Sequence, residues 1–221
     1  MSNLVHERFL HEDMNTLSSH RLLAICYLLL AISFLFVSAC AHAIPRFGVG
    51  GHYEEGKEQF LKGRGGDMDR AVVALESVVR EDPTYKDSLT LLARAYYRKG
   101  RYADAIQVLQ RALAINKDDE IAWLVLGMAE LRLGQGEKGQ ETIKGAITLV
   151  SKASKSGYRD FPEWDRNGLV RASIRRAAVE AVKGPDAKDN LIQAVETILA
   201  RMDDEESLQR AEQSRKLRTE F

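Results

Sequence analysis

From Lys86 to Ala153 the chain repeats itself with a period of 34 residues. Leu89, Leu92, Ala93 and Tyr96 in one unit stand where Trp123, Leu126, Gly127 and Glu130 stand in the next. Gly100 then matches Gly134, Ala105 matches Gly139, Leu109 matches Ile143, and Ala112 matches Ala146. Within a unit, Leu92, Ala93 and Tyr96 fall on one face at helical spacing. Gly100 ends that first helix, because glycine takes a left-handed backbone without steric cost. Tyr102 fills the turn, and Ala105, Leu109 and Ala112 line a second helix. The alanines let the two helices approach closely. One such pair cannot bury its apolar face alone, so neighbouring pairs must stack on it.

The spacing has a family resemblance. Trp123-x2-Leu126-Gly127 resembles the opening of the tetratricopeptide pattern, and Tyr96…Ala105-x3-Leu109 resembles its middle. The resemblance implies an all-α fold: a short right-handed helical solenoid of about three helix pairs, followed by capping helices. It also implies a mode of action, holding other proteins, without naming the partner.

Five segments follow in order. Residues 1–39 read as a leader, 40–52 as a tether and 53–153 as about three helix pairs. Residues 154–168 form an aromatic connection, and 169–221 supply C-terminal helices. The tether carries Pro45, Gly48, Gly50 and Gly51, with no Gly-Lys-Ser/Thr to suggest a phosphate loop. The first pair is degenerate. Gly66, Ala71, Leu75 and Pro83 keep the period, the first helix near Glu54–Lys62 is short, and the Gly63–Gly66 turn has room for an extra residue. Terminal repeats depart from the pattern because one face meets water.

After the repeats, Tyr158, Phe161, Pro162 and Trp164 are expected to pack the connection onto the last unit, or to meet a partner. A helix over Leu169–Lys183 has Val170, Ile174, Ala178 and Ala181 on one stripe, and Gly184-Pro185 stops it. Asp186 is a candidate cap for the next helix, whose stripe is Leu191, Val195, Ile198 and Met202. The tail from Asp203 reads as a solvated helix with fraying ends.

Leu22–Ala41 is an uncharged apolar run of twenty residues, long enough to span a bilayer. Three fates compete for it. Val37-Ser38-Ala39-Cys40 resembles a bacterial lipobox, in which Cys40 is lipidated and becomes the new N-terminus. Ala41-His42-Ala43 fits ordinary signal peptidase and gives an exported soluble protein. The run also serves as an anchor if left uncut, holding the chain at the inner membrane. The expectation adopted is lipidation at Cys40, where a tri-acylated terminus meets the need of stable anchoring for more than one chain. The resemblance to lipoproteins implies, from Ala41 rather than an aspartate after the cysteine, the periplasmic face of the outer membrane. Acidic Glu7, Glu12 and Asp13 outweigh Arg8 ahead of Met14, so translation is expected to start at Met14.

Composition removes most chemistry from the repeats. All five histidines precede residue 53 and both cysteines, Cys26 and Cys40, precede residue 41. No metal site, cofactor or catalytic triad is therefore expected, and catalysis is not. Charge is balanced, 32 basic against 32 acidic, which argues against nucleic acid as a partner. Arg171, Arg175 and Arg176 form a basic cluster, read as a solvated face.

In tetratricopeptide proteins the first helix of each pair lines a groove. The resemblance places Asp87, Thr90, Arg94, Tyr97 and Arg98 there from one unit. Ile121, Leu124, Met128, Leu131 and Arg132 join from the next. Family members that clamp a terminal carboxylate use lysine and asparagine, whereas Phe60, Arg94 and Ile121 stand here, which argues against such a clamp. The apolar groove residues have a competing role as contacts for the chain's own C-terminal helices. The C-terminal helices are expected to cap the solenoid rather than cross the groove. The expected function is a protein-interaction scaffold in a bacterial envelope, serving assembly of an envelope machine. The alternatives are an accessory or weak hydrolase acting on envelope polymers, or a self-associating structural protein.

Overall fold

The computed structural model describes residues 48–153, 161, 163–184 and 187–219. Cys40, the peptidase site, Met14, Tyr158, Pro162 and Asp186 lie outside the described residues. Within those bounds the chain is all-α. Eight α-helices follow one another: α1 Gly48–Leu61, α2 Met68–Glu81, α3 Ser88–Arg98, α4 Tyr102–Ile115, α5 Glu120–Arg132, α6 Gly136–Ala153, α7 Leu169–Ala181 and α8 Lys188–Thr219.

Helices α1 to α6 pair as α1–α2, α3–α4 and α5–α6, and each pair packs on the next. The second helices keep the 34-residue register through all three units. Ala71 and Ala105 are fully buried and Gly139 takes the same place; Leu75, Leu109 and Ile143 follow, each at 0% exposure. Burying one such leucine or isoleucine contributes about 1.5–3 kcal/mol, so this column is a main source of cohesion. Gly127 and Gly139 let α5 and α6 meet backbone to backbone. A Cβ on Gly127 would lie 2.5 Å from Ile143 Cγ1 and 2.9 Å from the Gly139 carbonyl oxygen.

Gly100 and Gly134 end α3 and α5 with φ of 74° and 81°. The next residue's N–H reaches back five residues in each case, Arg101 to the Tyr96 carbonyl and Gln135 to the Glu130 carbonyl, both at 2.9 Å. These bonds satisfy helix-end carbonyls that would otherwise lack partners.

The first unit departs from expectation in a defined way. Its helix begins at Gly48, inside the segment read as tether, because Val49 and Tyr53 pack into the core and Gly50 leaves space beside the Tyr85 hydroxyl. The helix ends at Leu61, and Gly63, not Gly66, takes the left-handed conformation, with φ of 56°. A short 3-10 turn, Gly63–Gly65, fills the difference. The turn therefore holds three extra residues rather than one. The helix-side register moves with it. Gly56 packs against Leu75 and lies seven residues before Gly63, as Ala93 does before Gly100 and Gly127 before Gly134.

Equivalent hydroxyls then link the units. Tyr53 donates to the Asp87 carboxylate, and Thr90 donates to that of Asp119 at 2.6 Å. Asp87 and Asp119 are the residues just before α3 and α5, and Asp119 also accepts the Ala122 N–H at 2.9 Å as an N-cap.

Helix α7 stacks on α6 and pairs with α8. Its inward stripe is Val170, Ile174, Ala177 and Ala181; Ala178 is exposed, one position off the expected stripe. The connection before α7 buries Phe161 and Trp164, whose rings stack at 6.2 Å. Asp165 is 1% exposed and accepts the N–H groups of Val170 and Arg171 at 2.8 and 2.9 Å, which caps α7. Its own N–H donates to Glu205 on α8. The basic cluster is split, because Arg171 turns back to pair with Asp165 at 3.0 Å while Arg175 and Arg176 stay exposed.

Candidate functional site

The first helices α1, α3 and α5 present one continuous face, and α8 lies along it. Charge pairs mark its course. Arg132 on α5 is 3.8 Å from Glu196 and 3.9 Å from Asp189. Tyr97 on α3 donates to Glu196 at 3.1 Å. Arg94 on α3 meets Asp203 with both terminal nitrogens, at 3.0 and 2.6 Å. Lys57 on α1 is 3.3 Å from Glu206. Helix α8 thus passes from the third unit to the first. This corrects two expectations. The C-terminal helices do not only cap, and the chain from Asp203 onward is not merely a solvated tail, because its first acidic residues are clasped by α3 and α1.

Between this face and α8 a cavity of about 430 Å³ remains. Arg94, Tyr97, Arg98, Met128 and Arg132 line it, together with Glu196, Leu199 and Ala200 from α8. Five of the expected groove residues therefore share one space. Leu131 lines a neighbouring cavity of about 320 Å³ with Leu191 and Glu180. Asp87 and Thr90 are engaged in the links between units. Ile121 and Leu124 are buried at 5% and 0% exposure, so they support the wall rather than offer a free surface. Phe60 is fully buried beneath the guanidinium groups of Arg94 and Arg98, at 4.8 and 3.7 Å from its ring centre.

The electrostatics are cationic on the solenoid side. Arg98 donates to the Phe60 carbonyl at 2.8 Å and makes no ion pair among the described residues. Burial, and the neighbouring charge of Arg94, push the Arg98 pKa down. Burial pushes the Tyr97 phenol up to about 12, and the Glu196 carboxylate adds to the rise against the opposing pull of Arg132. The Tyr97 hydroxyl is thus a proton donor at neutral pH, holding Glu196 while accepting from Arg132 at 3.4 Å.

Sequence reasoning missed the acidic partners on α8. Glu196, Asp203 and Glu206 stand at spacings of seven and three, one face of a helix, and alternate with apolar Leu199 and Met202. That pattern was available as a signal. The register places Glu130 at the Tyr96 position but does not show how a carboxylate is held there. Although 1% exposed, it is held by Lys138 at 2.9 Å and Thr142 at 2.7 Å, and it takes the place of Tyr96, which donates to Glu76. No group of residues able to hold a metal ion occurs among the described residues, and no helix among them is long and apolar enough to cross a membrane.

Residues 64–126 and 98–149 each match the family described as tetratricopeptide repeat. Together these stretches run from the turn before α2 into α6, and over them the chain is similar to tetratricopeptide repeats. No curated protein matches it. Among solved structures it is similar to one described as "Crystal structure of MamA", with 20% identity and a TM-score of 0.47, over 77% of this chain and 86% of that one.

Proposed function

We propose that this protein is a non-catalytic scaffold that binds other proteins through the face of α1, α3 and α5, and that it works at a bacterial cell envelope. The observation that carries the binding role is the convergence of Arg94, Tyr97, Arg98 and Arg132 on one cavity along stacked repeats. Charged and aromatic side chains of this kind are the residues that anchor protein interfaces. The envelope assignment rests on the sequence ahead of the repeats. The apolar run Leu22–Ala41 ends on a lipobox-like Val37-Ser38-Ala39-Cys40, so lipid on Cys40 would tether the repeats to the periplasmic face of the outer membrane. A scaffold held there serves the assembly of a larger envelope machine.

Two measurements test this reading. Cys40→Ser is expected to abolish fatty-acid labelling and leave an unprocessed precursor. Unchanged processing with a new terminus at Ile44 would move the assignment to an exported soluble protein. Photo-crosslinking from position 97 in intact cells is expected to trap an envelope protein. Trapping only cytoplasmic proteins would sink the envelope role.

A further inference from the structure

We propose that the face covered by α8 is the docking site for an acidic amphipathic helix of a partner protein, and that α8 is the resident helix it displaces. The proposal rests on the scaffold reading above and specifies the chemistry of the partner. Helix α8 itself is the template. Glu196, Leu199, Asp203 and Glu206 fall on one face of a helix that advances about 100° per residue. That face sets three carboxylates around apolar side chains. Opposite stand Lys57, Arg94 and Arg132, one cation from each unit. The complementarity is both in sign and in spacing.

The fit of α8 is incomplete. The 430 Å³ cavity persists where Ala200 and Leu199 stand near Arg98 and Met128. Arg98 meets a carbonyl there, not a carboxylate. A helix with a glutamate where α8 has Ala200 supplies the missing charge and fills part of the space. Such a helix has an advantage over the resident one. The polar contacts that hold α8 to α1 and α3 include the largely shielded pairs Arg94–Asp203 and Lys57–Glu206, and an acidic helix in its place remakes each of them and adds one to Arg98. Its apolar residues Leu191, Ile192, Val195 and Ile198 are buried in the half of the helix that precedes Asp203, where α8 also pairs with α7. To reach Arg98 the incoming helix replaces α8 from about Val195 onward, so its own apolar residues take the places of Ile198, Leu199 and Met202, and the Asp165–Glu205 contact is given up, while Leu191 and Ile192 stay buried at the start of α8.

The test uses the full chain and a fluorescent peptide with the sequence of residues 194–212 carrying Ala200→Glu. Anisotropy is read for the wild type, for Asp203→Asn, and for Glu196→Gln/Asp203→Asn/Glu206→Gln, with helicity checked by circular dichroism. The triple variant is expected to bind at least about tenfold more tightly than wild type, and Asp203→Asn to fall between. Adding Arg98→Gln should remove most of the gain. So should replacing the peptide's glutamates and aspartates with amides, or working near 0.5 M salt. Equal affinity for all three proteins overturns the proposal, as does equal affinity for charged and neutral peptides. Binding of the triple variant to anionic phospholipid vesicles but not to the peptide overturns it too. The crosslinking experiment above judges the scaffold reading separately, since envelope capture from position 97 does not depend on the peptide.

Discussion

Arg94 and Asp203, 109 residues apart in sequence, form a two-pronged ion pair with one nitrogen on each carboxylate oxygen. Their side chains are 10% and 19% exposed, so the pair sits between the surface and interior regimes. Surface pairs are worth about 0–1 kcal/mol, and removing one partner of a buried pair costs about 3–5 kcal/mol. A double-mutant cycle with Arg94→Met and Asp203→Asn is expected to give a coupling of about 1–3 kcal/mol by urea denaturation. A coupling near zero would mean that α8 is not held by this pair.

Gly127 sets the closest approach of two helices. Replacing a helical glycine by alanine ordinarily gains about 1 kcal/mol of helix propensity. Here the new Cβ would meet Ile143 at 2.5 Å and the Gly139 backbone at 2.9 Å, and backbone cannot swing aside. Overpacking costs about 1–3 kcal/mol. The clash should win, so Gly127→Ala lowers the thermal midpoint, whereas exposed Gly145→Ala, with no atom within contact of its Cβ, leaves it unchanged or raises it.

High pH should loosen the protein through its tyrosines. Burial, with the hydrogen bond to Glu76, raises Tyr96 to about 12, and burial raises Tyr97 to about 12. Burial and the Asp87 carboxylate push Tyr53 up as well. A raised folded pKa means that the unfolded chain loses these protons first. The contribution to stability is complete below pH 10 and is lost as pH rises from 10 to about 12. Denaturation midpoints measured from pH 8 to pH 11 should fall above pH 10, and Tyr97→Phe should flatten part of that fall.

Two truncations separate the roles of the C-terminal helices. Ending the chain after Ala153 strips α7 from α6 and bares Ile147 and Val150, so aggregation is expected. Ending it after Met202 removes Asp203 and Glu206 but keeps the buried stripe from Leu191 to Met202. That shorter chain should stay monomeric in size-exclusion chromatography and retain its helicity. Aggregation of both would mean that the acidic segment is part of the core.

The repeat architecture was legible because its determinants are local. Gly100 and Gly134 act within one turn of themselves, Ala105 and Leu109 pack against helices close by in the chain, and the period they share survives in the sequence. The first unit was legible only in its second helix, because the three-residue insertion at Gly63–Gly65 moves Gly56 and Tyr53 out of the 34-residue register. The groove residues Arg94, Tyr97, Arg98, Met128 and Arg132 were found by carrying over the helix face on which they lie. What covers them was not found, because pairing across 109 residues leaves no local trace. Only the acidic stripe of α8 pointed to it, and a charge-dense tail reads equally well as a solvated one. Asp165, too, is invisible as a cap, since it lies four residues before α7 and reaches it only through a left-handed turn.

In the free protein α8 occupies the face of α1, α3 and α5. Zero-length carbodiimide crosslinking reads that placement, because it joins an amine and a carboxylate only where they touch. Lys57 and Glu206 lie 3.3 Å apart on α1 and α8. Dilute monomer treated with carbodiimide and digested should yield a Lys57–Glu206 linked peptide, alongside a Lys138–Glu130 product from within the third unit as a control. Appearance of the control product without any Lys57–Glu206 link in the monomer band would mean that α8 lies elsewhere.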